Sequence, residues 1–214
     1  MQKILVTFAI LFSGFINSRS YIDYESPYHP VVGNYGMVVS QNYLSSDIGI
    51  EILNKGGNAI DAAVAVGFSL AVTLPRAGNL GGGGFMLVYL KEKDEIFYID
   101  YRSKSPLNSN LENIFNIYSS DGKKYEVVPK NFDTSKFDVL DTGYKASAVP
   151  GTVAGLLDAH AYFGRLKLSE VLAPVIAQAT NGIVVSYDLH KAIESTPRLY
   201  DDLESRRLYF KSET

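Results

Sequence analysis

The chain has 214 residues, 46% of them hydrophobic and 20% charged, with a formal net charge of −3. That is enough core for one domain or part of one, and the slight acidity argues against a nucleic-acid binder. The absence of cysteine excludes disulfides, thiol catalysis and thiolate metal sites. His29, His160 and His190 show no paired ligand spacing, so no metal and no cofactor is expected.

The chain opens on a positive start, Met1-Gln2-Lys3, followed by the apolar run Ile4 to Ile16 and small residues at Ser18 and Ser20. The run is shorter than the roughly 20 residues a spanning helix needs. Residues 1–20 therefore read as a secretory signal peptide cut after Ser20, with an uncleaved short anchor as the alternative. That reading places the protein in the periplasm or outside the cell, with no stable membrane span. Residues 21–214 form the remaining portion. They begin with an irregular lead-in to Gly36 and a short strand expected at Met37 to Ser40.

Two helices are expected next. Leu44, Ile48 and Ile52 recur every four residues and Gly56-Gly57 end the run. Asn58 is a good N-cap for the second, with Asp61 in its first turn. That helix is apolar on nearly every side, so it belongs inside a domain, packed against something flat; a membrane span is the weaker reading. Pro75 closes it.

Four glycines follow, Gly81 to Gly84. A phosphate loop needs Gly-Lys-Ser/Thr running into a helix, and here the glycines run into the strand-like "FMLVYL". The spacing of a dinucleotide fingerprint also needs strand-then-helix order, which is reversed here. Close approach of the chain to itself is the better reading, with a sheet lying against the small-residue helix Ala62 to Ala71. "FMLVYL" and "EIFYIDY" form a hairpin across Lys91 to Asp94, the first strand being apolar without alternation and so covered on both faces. Residues 103 to 145 are polar and read as a surface excursion with a short helix near Leu111 to Tyr118. A helix is expected from Thr152, with Leu156, Leu157, Ala159 and Ala161 on its apolar side and Gly164 as its stop. Leu168, Val171, Leu172, Val175, Ile176 and Ala179 predict another, kinked or divided at Pro174 and capped by Asn181-Gly182. One more helix starts near Tyr187, and the charged, aromatic end has no terminating feature.

Several of these stretches, taken in order, carry a resemblance. "GGNAIDAAVA", "GNLGGGGF", "IDYRSKSP", "VPGTVAG" and "NGIVVS" resemble successive blocks of the bacterial γ-glutamyltranspeptidases (glutathione hydrolases) from about His29 onward. The resemblance implies an α+β fold: a partial N-terminal-nucleophile hydrolase αββα sandwich, of which this chain holds helices and a central hairpin. It implies a precursor that cuts itself, and a new N-terminal threonine that attacks γ-glutamyl amides with its own amine as base. Glutathione or another γ-glutamyl compound would be the donor, and water, an amino acid or a dipeptide the acceptor. No catalytic residue of that kind is expected in this chain, because none of its threonines opens the "TTH"-like block. It reads as a truncated large-subunit portion, inactive alone, with the C-terminal part or small subunit as heterodimer partner.

Arg102 matches the family arginine that holds the α-carboxylate of the γ-glutamyl group, as a planar guanidinium can do bidentately. The plainer reading pairs Arg102, as an ordinary strand-end arginine, with Asp100 or another acid. Ser103 stands where the family pattern often has an acid. Two other functions stay open: a non-catalytic secreted remnant or γ-glutamyl/amino-acid binding protein, and a related β-lactam acylase. Strands without their neighbours would also leave open apolar edges and poor solubility.

Overall fold

The computed structural model describes residues 31–107 and 146–210. The expected signal peptide, most of the polar excursion and the helix expected near Leu111 to Tyr118 lie outside the described residues. The chain divides into two units, residues 1–37 and 38–214; in the first, residues 31–37 are described and form neither helix nor strand. All helices and strands among the described residues lie in the second unit.

The strand expected at Met37 to Ser40 is not formed. A strand needs a ladder, and the amide of Ser40 donates instead to Ser46 Oγ at 3.1 Å. Helix α1 (Tyr43–Asn54) is capped by the side chain of Asn42, which accepts from the Leu44 amide. It buries Ser45, Ile48, Gly49 and Ile52, and Gly56 beyond its end has φ 89°, the left-handed conformation that glycine adopts without strain.

Helix α2 (Ala59–Thr73) is the buried centre of the helical layer. Its neighbours are α1, helix α3 (Thr152–Phe163) and helix α4 (Leu168–Asn181), and its buried Ile60, Ala62, Val64 and Ala65 belong to the same core cluster as Val88 of the hairpin. Its start is a complete capping box: Asn58 Oδ1 accepts from the amides of Ile60 and Asp61, and the Asp61 carboxylate accepts from the Asn58 amide at 2.9 Å. Asp61 is fully buried and also receives the amides of Arg165 and Leu166 from the α3–α4 turn. A buried carboxylate is tolerated because protein donors replace its water. Further along, the hydroxyls of Ser45 and Thr73 lie 2.8 Å apart, and Ser69 lies within 2.8 Å of Ser45 and 2.7 Å of Gln178 Oε1. These groups join α1, α2 and α4 through the interior.

The apolar faces differ in detail from the expected ones. In α3 the buried side is Gly155, Leu156 and Ala159, with Ala161 exposed; in α4 it is Val171 and Val175, with Ile176 and Ala179 exposed. Each face is narrower than the apolar pattern because a helix in a single layer touches neighbours over only part of its surface. Pro174 does not divide α4, which runs unbroken to Asn181 and stops at Gly182, φ 75°. Helix α5 (Tyr187–Glu194) follows, then the short α6 (Arg198–Asp201) and α7 (Leu203–Tyr209).

Strands β1 (Phe85–Leu90) and β2 (Glu95–Asp100) pair antiparallel, Phe85 opposite Asp100 and Leu90 opposite Glu95. Met86, Val88, Leu90, Phe97 and Ile99 face the helical core, where the Phe97 and Phe163 rings sit 5.0 Å apart. Phe85, Leu87, Tyr89, Ile96 and Tyr98 face outward and are exposed. Among the described residues β1 is thus covered on one face, not both, because no second layer lies over the hairpin's outer side.

Candidate functional site

The four glycines sit between α2 and β1, and what they touch decides their purpose. None has a positive φ, so the left-handed region is not the reason for them. A Cβ at Gly83 would press into the backbone of Tyr101 to Ser103, 2.6 Å from the Tyr101 carbonyl oxygen, and one at Gly84 would lie 2.8 Å from the Tyr101 ring. At Gly81 the nearest atom would be 3.5 Å away, an ordinary contact. The close approach expected from the sequence is real, but its target is the exit of β2 rather than the helix Ala62 to Ala71. The Gly84 and Tyr101 backbones exchange hydrogen bonds of 3.3 and 3.1 Å, and the Gly82 carbonyl accepts from the amides of Gly151 and Thr152 at 2.8 and 3.1 Å. The glycine run therefore ties the sheet to the start of α3.

Tyr101 is the wedge in this junction. A Cβ at Gly155 would overlap its side chain, and one at Gly151 would overlap its carbonyl oxygen. Burial between these glycines pushes the Tyr101 phenol above its ordinary value, since the phenolate would lose water there. Beyond it, Lys104 and Val149 exchange backbone hydrogen bonds of 3.1 and 2.8 Å as an isolated antiparallel bridge. This bridge brings together the two ends of the polar stretch read as a surface excursion.

The junction frames a pocket of about 210 Å³ lined by residues 99–102, Lys104, 149–151, Ala154, Gly155 and Asp158. Arg102 stands at this pocket and is exposed. The plainer reading paired it with Asp100, but the Asp100 carboxylate accepts from the Arg102 amide at 2.9 Å, and no ion pair joins the guanidinium to another described residue. An arginine beside a cavity with its fork unspent is chemically suited to a carboxylate ligand. The amides of Val153 and Ala154, in the first turn of α3, have no acceptor among the described residues and add positive character to the same wall.

Ser103, flagged for its place beside Arg102, does not line the pocket. Lys104 does, and the sequence reading passed over it. The available signal was period two: in extended chain, residues 102 and 104 share a side and 103 takes the other. Asp158 and Gly151 were also missed, because they arrive from a distant stretch of chain. Among the described residues no group of three or more His, Asp or Glu could hold a metal ion, and no helix is long and apolar enough to cross a membrane.

A sequence profile described as "Gamma-glutamyltranspeptidase" matches residues 45–214. The glutathione hydrolase proenzyme of Pseudomonas sp. (strain A14) is 42% identical over 157 residues, 73% of this chain and 24% of its own length. The chain thus spans about a quarter of the length of the curated relatives it matches. Among solved structures, the Helicobacter pylori γ-glutamyltranspeptidase superposes with a TM-score of 0.73 at 36% identity, covering 86% of this chain and 49% of that one. A cephalosporin acylase from Bacillus halodurans superposes with a TM-score of 0.59 at 25% identity, over 91% of this chain and 33% of that one. The helices and hairpin described here are accordingly a part of the N-terminal-nucleophile hydrolase sandwich.

Proposed function

The chain belongs to the γ-glutamyltranspeptidase family, and on that premise we propose that it supplies the amino-terminal part of the large subunit of a γ-glutamyl-transferring hydrolase. The donor is glutathione or another γ-glutamyl amide. Arg102 holds the α-carboxylate of the γ-glutamyl group, and the attacking threonine comes from sequence outside these 214 residues, in the small subunit that completes the heterodimer. An amino acid, a dipeptide or water takes the acyl group. Residues 1–20 direct export to the periplasm or beyond.

The observation that carries this reading is the Arg102 guanidinium, exposed at a pocket and without an ion pair to another described residue. Its chemistry suits the reaction: the cation fixes the donor by a group that does not react, so that the γ-amide is presented in one orientation. The test uses a γ-glutamyl p-nitroanilide. The chain alone should release no p-nitroaniline; supplied with the C-terminal portion of a relative, it should. In that reconstituted enzyme Arg102→Ala should lower kcat/KM about a hundredfold, the loss expected for a charge-assisted bidentate contact of about 3 kcal/mol. Turnover by the chain alone, or an Arg102→Ala enzyme with unchanged kcat/KM, would overturn the reading. The likeness to the Bacillus halodurans acylase keeps a second reading, a β-lactam side-chain acyl donor. A reconstituted enzyme that cleaves such a donor and leaves the γ-glutamyl anilide intact would establish it.

A further inference from the structure

We infer that Lys104 gives the Arg102 pocket a preference for γ-glutamyl donors that carry a second carboxylate over donors that are neutral beyond the γ-amide. The inference rests on the role proposed for Arg102.

Arg102 and Lys104 are two residues apart beyond the end of β2, and both line the pocket while Ser103 between them does not. Lys104 is fixed there from both sides of its backbone by the bridge to Val149, with hydrogen bonds of 3.1 and 2.8 Å. Two residues of chain can hold the bases of the two cations as much as about 7 Å apart. That is the scale of the separation between the two carboxylates of a dipeptide-sized ligand, not of one carboxylate shared by both. No ion pair joins Lys104 to another described residue, so its charge, like that of Arg102, is available to a ligand.

The rest of the lining fits an amino-acid-like ligand with that extra charge. In the same lining, Gly151 and Ala154 bring the positive end of α3, with the Val153 and Ala154 amides free of acceptors among the described residues. Of the two acids in the lining, Asp100 already accepts the Arg102 amide. Asp158 remains to complement an ammonium group. Two cations and one spare carboxylate match a ligand with two carboxylates and one amine. A cavity of about 210 Å³ holds part of such a ligand, the remainder reaching out of its mouth.

The test is calorimetry on the full 214-residue chain with γ-glutamylglutamate and γ-glutamylmethylamide as paired probes. The dicarboxylate should bind about two- to fivefold more tightly, the size of one added charge contact at an exposed site. Lys104→Met should remove that advantage, while Lys104→Arg should retain it. Arg102→Ala should weaken both probes. A preference that survives in Lys104→Met overturns the inference and leaves the role of Arg102 standing. Equal binding of both probes by Arg102→Ala and the unaltered chain overturns the proposed function on which it rests. Absence of binding by either probe overturns the inference. Far-ultraviolet circular dichroism of each variant separates a lost contact from a lost fold.

Discussion

The helical layer and the hairpin's outer face are solved in opposite ways. In the helices every buried polar side chain has its partners: Asp61 takes three backbone amides, and Ser45, Ser69 and Thr73 bond one another and Gln178 across three helices. On the hairpin, Phe85, Leu87, Tyr89, Ile96 and Tyr98 stand exposed on one side of a two-stranded sheet. A two-stranded ribbon has little stability alone. This one is held by its inner face on α3 and by the glycine junction at its base. The difference teaches that the helices carry their own specificity, whereas the hairpin's outer side has the character of a surface for another sheet to cover, as in a sandwich.

The contrast can be broken most forcefully at Asp61. Asp61→Ala would strand the amides of Asn58, Arg165 and Leu166 in a buried site, and unfolding free energy should fall by at least 3 kcal/mol on the order of one such loss after another. A urea titration followed by circular dichroism measures it. A loss under 1 kcal/mol would mean that the layer does not depend on this carboxylate. The next effect is at the base of the hairpin. Gly83→Ala places a methyl against the backbone of residues 101–103, where nothing flexible can yield, and should cost about 2–3 kcal/mol. Gly81→Ala, with its nearest neighbour at 3.5 Å, should stay within about 0.5 kcal/mol of the unaltered chain. Equal costs at the two positions would contradict the junction described above. The smallest effect on stability is expected on the open face. Leu87→Thr with Ile96→Thr should shift unfolding by less than about 1 kcal/mol, because neither side chain is buried. The same pair should raise the soluble fraction and reduce binding of an apolar dye. A large loss of stability would show that the face is covered in solution.

The helices were legible because their signals are local. Asn58 and Asp61 announce a capping box three residues apart, Gly56 and Gly182 mark helix ends by a conformation that side chains resist, and the period of Ile48 and Ile52 shows which side turns inward. The hairpin and its turn were legible for the same reason. Less was readable where the decisive neighbour is remote. Met37 to Ser40 has the composition of a strand, yet a strand is made by a partner, and composition does not supply one. The all-apolar "FMLVYL" resembled a strand buried on both faces, but burial is a property of what lies over it.

The amino-acid order by itself therefore determined helices α1 to α5, the Asn58 cap, the hairpin, the need for a close backbone approach at Gly81 to Gly84, and a candidate anchor in Arg102. Only the tertiary structure decided that the approach is made to Tyr101 through Ser103, that Asp61 closes a turn more than a hundred residues away, and that Lys104 and Arg102 line one pocket with the first turn of α3. The physical reason is range. Caps and periodicity act within a few residues of each other, whereas the pocket exists because Val149 to Gly151 returns to Gly82 and Lys104 across a long stretch of chain, and no local pattern records that return.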